Sequence, residues 1–169
     1  MGYNTDFCGA IALDRPVDKE TEELLEGLAS TIRVKRNVGP EYGTEGEFYI
    51  KDDEETILDY GKPPGNQPNF WLSWILSSDK QHLEWSGSEN FYDYVEWMTY
   101  LRDSILNPRG YRLVGGCINW FGDDHLDLGS IEAVDNKIIV SYGKIVYEPA
   151  HTLYFKGTAT RSWSARKNH

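Results

Sequence analysis

This chain has little of what metal or thiol chemistry requires. It holds two cysteines and four histidines in 169 residues. None of them falls into the spacing of a zinc or transition-metal site. The phosphate loop G-x-x-x-x-G-K-[ST], the dinucleotide fingerprint G-x-G-x-x-G and the G-x-S-x-G elbow are all missing. Basic residues are also scarce. Against 27 Asp and Glu there are only 17 Lys and Arg, a net charge of −10. That disfavours duplex nucleic acid, whose phosphates must be neutralised by cations. No apolar run approaches the roughly 18 residues that a membrane-spanning helix needs. The start MGYNTDF has neither a basic nor an apolar leader region. Asp6 stands where a myristoylation signal needs Ser or Thr. These absences lead to the expectation of a cytoplasmic protein that is not an enzyme, with no catalytic residues, no cofactor, no metal and no membrane partner.

Three weak chemical constellations stand beside that expectation. In the run Asp123-Asp124-His125-Leu126-Asp127, an extended backbone would project Asp123, His125 and Asp127 to one side, as ligands for a divalent ion. An acidic turn between strands explains the same residues. Glu84 and Glu96 flank an aromatic region and could act as acid and base, or simply be solvated. Cys117 and His125 could form a pair, but a cysteine in an apolar strand is usually inert. Cys8 and Cys117, each in a strand-like run, are expected as buried thiols of a reducing compartment.

What the chain has in abundance is aromatic side chains in one place. Ten of the residues between 60 and 100 are Phe, Tyr or Trp. The block opens on the stiff loop GKPPGNQP (residues 61–68). Flat, rigid rings give contact area at low entropic cost, which points to binding. Trp74, Phe91 and Tyr94 fit apolar faces and read as core. Trp71, Tyr92 and Tyr100 fall off those faces and are candidate ligand-stacking residues, with a core reading equally open. Asn66 and Gln67 bring amide edges beside Trp71. Arg33, Lys35 and Arg36 form the one compact basic island of the body. They are candidates for a phosphate or carboxylate, or for favourable charges at the C-terminal end of a helix.

The periodicities predict an α+β fold: a mainly antiparallel sheet with two helices packed on one face. Residues 3–13 read as a strand, and Asp18 caps a helix with the apolar stripe Thr21, Leu24, Leu25, Leu28 and Ile32. Short strands follow at 47–51 and 56–60, then a hairpin at 70–77 and 81–85. A second helix is predicted from residue 89 or 90 to 106, capped by Ser88, with the stripe Phe91, Tyr94, Val95, Met98, Leu101 and Ile105 and with Trp97 on its flank. Residues 111–121 read as a strand with a bulge or a close backbone approach at Gly115-Gly116. Residues 128–134 and 137–142 read as a hairpin turning at Asp135-Asn136. Residues 144–147 continue or follow it, and 151–158 form a last strand. The spacing suggests a split βαβ topology elaborated with hairpins. One domain is expected over residues 1–158, followed by a basic tail, 159–169; residues 151–169 hold four basic side chains and no acidic one.

The segments MGYNTDF…LDRPV, ILDYGKPPGNQPNFWLSW, LEWSGSENFYDYVEWMTYL and GYRLVGGCINWFGDDHLDLGSIEAVDN resemble a group of small acidic proteins encoded by bacteriophages and prophages. The resemblance covers most of residues 1–142 and is strongest over 60–74 and 85–101; residues 150–169 lie outside it. It supplies no catalytic residues. It implies an accessory phage protein acting in the bacterial cytoplasm against host defence, either by sequestering a cyclic-nucleotide or ADP-ribose-type signal or by blocking a defence protein. The expectation is therefore a protein that captures a nucleotide-like small molecule on Trp71, Tyr92 and Tyr100, with Asn66 and Gln67 reading polar edges and Arg33, Lys35 or Arg36 meeting phosphate. Two alternatives are an acidic module that binds a host defence protein and a hydrolase with an unrecognised carboxylate or metal site. A homo-oligomer formed through the aromatic patch is also expected.

Overall fold

The structure is a computed structural model that describes residues 2–152. β1 (Thr5–Leu13) lies near the centre of a six-stranded sheet. The other strands are β4 (Trp74–Leu76), β5 (His82–Trp85), β6 (Leu113–Gly122), β7 (Leu128–Val134) and β8 (Lys137–Tyr142). Their order is β4-β5-β1-β6-β7-β8, and every neighbouring pair is antiparallel. A second, two-stranded sheet joins β2 (Lys35–Arg36) to β3 (Ile57–Asp59). The fold is thus α+β and mainly antiparallel. The split βαβ expectation fails, because no parallel pair occurs among the described residues.

The period-two alternation of β1 sends Phe7, Ile11 and Leu13 into the core. Across the sheet they are joined by Leu83, Ile118, Trp120 and Ile131. Gly9 and Gly116, at φ 113° and 91°, let β1 and β6 approach closely; a Cβ on either would lie within about 2.2 Å of a carbonyl oxygen of the facing strand. The register skips Val114, between the Ala12–Gly115 and Leu13–Leu113 pairs, so the bulge falls just before Gly115-Gly116 and Gly116 itself marks the close approach. Asp135 and Asn136 both have positive φ, which suits the two-residue turn between β7 and β8.

α1 (Lys19–Ser30) begins where its cap predicts: an Asp18 carboxylate oxygen accepts from the Thr21 backbone N–H at 2.8 Å. Thr21, Leu24, Leu25 and Leu28 are buried on its inner side. α2 is shorter than its pattern suggests, covering Tyr94–Tyr100. It widens into a π-type turn at Leu101–Leu106 and tightens to a 3₁₀ turn at Asn107–Arg109. Ser88 is not its cap. Asp93, with φ 54°, occupies that position, and Asn90, with φ 56°, bends the chain just before it. Both helices contribute to one core on one face of the six-stranded sheet.

Several other expectations are corrected. Residues 47–51 form a loop rather than a strand, and only Trp74–Leu76 of residues 70–77 is paired as a strand. Residues 144–147 do not continue β8. The predicted strand 151–158 lies, beyond its first two irregular residues, outside the described residues, as does the boundary at 158. Cys8 is exposed and Cys117 partly so, both as free thiols, because both fall on the open face of the sheet. Among the described residues, no helix is long and apolar enough to cross a membrane.

Candidate functional site

The aromatic block divides between core and surface. Phe7 of β1 sits at the centre of its buried half, with ring centroids 5.0 Å from Trp74, 5.4 Å from Trp85, 5.8 Å from Phe91 and 4.9 Å from Tyr94. All four contacts are edge-to-face, the arrangement that ring quadrupoles favour, worth about 0.5–1.5 kcal/mol each beyond area burial. Burial drives the Tyr94 phenol up to about 12, which keeps it neutral in the core. The Trp74 indole N–H donates to the Tyr94 carbonyl at 2.8 Å.

The exposed half forms a groove of about 370 Å³ lined by Ile32, Tyr60, Asn69, Phe70, Trp71, Asn90 and Tyr92. Trp71 is 53% exposed, Tyr60 63% and Tyr92 42%. Trp71 stands outward because Leu72 and Trp74 take the buried positions of that segment. Tyr92 stands outward because the positive φ of Asn90 and Asp93 turns the chain on either side of it while Phe91 packs inward. The Tyr92 hydroxyl is fixed: it accepts from the Tyr3 backbone N–H and donates to the Asn90 side-chain oxygen, both at 3.2 Å. Asn69 donates to Asp93 at 2.8 Å and accepts from the Phe70 N–H at 2.7 Å, which holds the opposite wall.

Three other candidates meet one another inside the protein instead. The fully buried Arg33 guanidinium donates to Gln67 Oε1 at 3.0 Å and Thr31 Oγ1 at 2.7 Å. It also donates to the carbonyls of Gly46, Glu47 and Tyr49 at 3.4, 3.1 and 3.0 Å. The Gln67 amide donates to the Glu47 carbonyl at 2.8 Å and to the Tyr100 hydroxyl at 3.0 Å. Arg33 and Gln67 are therefore not ligand contacts at the surface, since their polar atoms are met by protein partners, and Tyr100, also buried, has its hydroxyl held by Gln67. Burial pushes the Arg33 pKa down to about 10, which still leaves it charged at neutral pH. Burial raises the Tyr100 pKa. Tyr100 is covered because the irregular segment that carries Gln67 packs over a side of α2 that the helical stripe left unassigned.

The remaining candidates separate further. Arg36 is buried; its NH1 donates to the Asp53 carbonyl and Thr56 Oγ1, each at 2.9 Å, and its guanidinium lies 5.6 Å from the centre of the Tyr49 ring. Lys35 is tied to Glu45 at 2.6 Å, and that hydrogen bond raises the lysine pKa and lowers that of the carboxylate. The basic island thus offers no free cation to the groove. It does not serve the end of α1 either, because Arg33 and Arg36 donate to loop carbonyls and hydroxyls. Asn66 lines a different depression, of about 480 Å³, shared with the edge of Tyr100 and with Pro68, Asp93, Glu96, Thr99 and Asp103.

Tyr60, Asn69 and Asn90 were missed as site residues. Tyr60 read as the end of a short strand, and the two asparagines as loop and helix start; none has a periodic signal. The Asp123–Asp127 run is an ordered turn. Asp127 accepts from the Trp120 indole at 3.0 Å and from Tyr3 Oη at 2.6 Å, and Asp123 accepts from the Asn4 N–H at 2.7 Å. Among the described residues, no group of three or more His, Cys, Asp or Glu is placed to hold a metal ion. Comparison with models of known protein families, with characterised proteins and with solved structures finds no match to this chain.

Proposed function

We propose that this protein is a non-enzymatic binding protein that captures the planar ring of a nucleotide-like small molecule in the groove between Trp71 and Tyr92. One observation carries the reading: Trp71, Tyr92 and Tyr60, distant in sequence, line a single open groove with two fixed asparagines at its rim. Stacking on such rings is worth about 1–3 kcal/mol per base and tolerates any base, while amide edges supply hydrogen-bonding selectivity. Because Arg33 and Arg36 are buried and Lys35 is paired, the groove favours a base or nucleoside moiety over a phosphate cluster. The resemblance to phage accessory proteins supplies a setting, in which capture removes a signal of host defence in the bacterial cytoplasm.

The test is calorimetric titration and tryptophan fluorescence with adenosine, guanosine, cyclic nucleotides and ADP-ribose. Saturable binding that disappears in Trp71→Ala supports the reading. No response from the wild-type protein to any of these compounds sinks it.

A second reading is favoured by the depression lined by Asp93, Glu96 and Asp103 on the outer side of α2. Three carboxylates beside Pro68 and Val95 suit a basic segment of a host protein. A host protein retained from bacterial lysate at low salt and released at high salt would favour this reading, since added salt screens surface charge.

A further inference from the structure

The two edges of the six-stranded sheet are treated differently. β4 is three residues long, and α1 packs against it. β8 is six residues long and runs in unbroken register with β7, from Val134↔Lys137 to Gly129↔Tyr142. Among the described residues, nothing pairs with its other side. Edge strands are normally blunted by Pro, by a bulge, by inward charges or by shortness, and β8 has none of these. Its one charge is Lys137, at its first position.

The direction of its free groups follows from the turn. A two-residue connection makes Val134 and Lys137 a hydrogen-bonded pair, and pairs alternate from there. The Gly143 N–H, which donates to the Leu128 carbonyl at 2.8 Å, keeps that alternation. The backbone N–H and C=O groups of Ile138, Val140 and Tyr142 therefore point away from β7.

We propose that β8 pairs antiparallel with β8 of a second copy, about a twofold axis at Ile139, joining two six-stranded sheets into one. In this register Ile138 of each copy exchanges backbone hydrogen bonds with Val140 of the other. Both side chains already pack against the core, so the two cores become continuous. Ile139, 42% exposed, meets its own copy on the open face of the sheet.

The charge pattern favours self-association at this edge. Residues 137–147 contain Lys137 and Lys144 and no acid, in a chain of net charge −10. The register sets Lys137 opposite Ser141 and brings Lys144 of each copy alongside the Asp135 turn of the other. Like charges do not oppose, and the exposed Asp135 carboxylate, which Arg112 meets at 3.1 Å on one oxygen, is shared with Lys144 of the other copy. This interface is separate from the Trp71 groove.

Sedimentation and light scattering of the full-length chain test the proposal. The wild-type protein is expected to be a dimer. Val140→Pro removes an N–H that points away from β7, so it should give a monomer with an unchanged circular dichroism spectrum. Should that variant not fold, Ile139→Lys, which puts like charges opposite each other, should also give a monomer. Lys144→Glu should weaken the dimer several-fold at low salt, and adding Asp135→Lys should restore it. A monomeric wild-type chain, or a dimer that survives both Val140→Pro and Ile139→Lys, overturns the proposal.

Discussion

The Arg33–Gln67–Tyr100 cluster and the Trp71–Tyr92 groove are built from the same short stretches of chain yet have opposite characters. Gln67 and Trp71 are four residues apart, and Arg33 follows the end of α1 by three. In the cluster every polar atom of the Gln67 side chain and the Arg33 guanidinium is met by a protein group, and the interior holds a cation with no carboxylate against it. In the groove Trp71, Tyr60 and Tyr92 remain exposed, and Tyr92 is held through its hydroxyl. A cation that binds three carbonyls of one loop acts as scaffold, because releasing it leaves several buried acceptors unpaired. An exposed ring supported at its edge is free to gain a partner. The difference separates stability from binding in a segment where sequence offered both.

Breaking the cluster should have the largest effect. Arg33→Met strands Gln67, Thr31 and three loop carbonyls, so it should destabilise the protein by about 3–5 kcal/mol in urea unfolding. Arg33→Lys should not rescue it, because one ammonium cannot span five acceptors arranged around a planar fork. On the other side of the comparison, Trp71→Ala should weaken binding of a stacking ligand by about 1–3 kcal/mol. Its unfolding free energy should stay within about 0.5 kcal/mol of wild type, as for other surface changes. A large stability loss in Trp71→Ala would show that the groove is scaffold after all.

Tyr100→Phe removes only the hydroxyl that accepts from Gln67. It should cost about 1 kcal/mol of stability and leave ligand affinity unchanged by calorimetry. The smallest effect is expected outside both regions. The Ser77 hydroxyl and the Gln81 backbone N–H, helped by His82, hold the Asp79 carboxylate down to about 2. A depressed folded pKa stabilises above the ordinary carboxylate value and loses that contribution as pH falls toward 2. Asp79→Asn should therefore melt slightly below wild type at pH 7, with the gap closing under acid.

Much of the fold was legible because it is periodic. The alternation of β1, the stripe and Asp18 cap of α1, the close approach at Gly116 and the Asp135-Asn136 turn each follow from local rules that act over a few residues. The failures share a cause as well. Trp97 was placed on the flank of α2 and Tyr100 off its stripe, yet both are buried. A helix pattern reports the covered face only when one layer does the covering. Here the sheet covers one side of α2, and aperiodic loops cover another. Within the site, Trp71, Tyr92 and Tyr100 all depart from an apolar face, yet only the first two are exposed, so the pattern alone does not separate them. Tyr60, Asn69 and Asn90 were not legible, because their convergence depends on contacts between segments tens of residues apart.

Local patterning along the chain is enough for the α+β class, the positions of α1 and most strands of the main sheet, and an excess of aromatic residues over what the apolar faces could absorb. Those properties depend on neighbours along the chain. Tertiary structure alone decided which aromatic rings and which cations reached solvent. A guanidinium's role is set by the acceptors that surround it, and the carbonyls around Arg33 come from loops with no pattern to announce them.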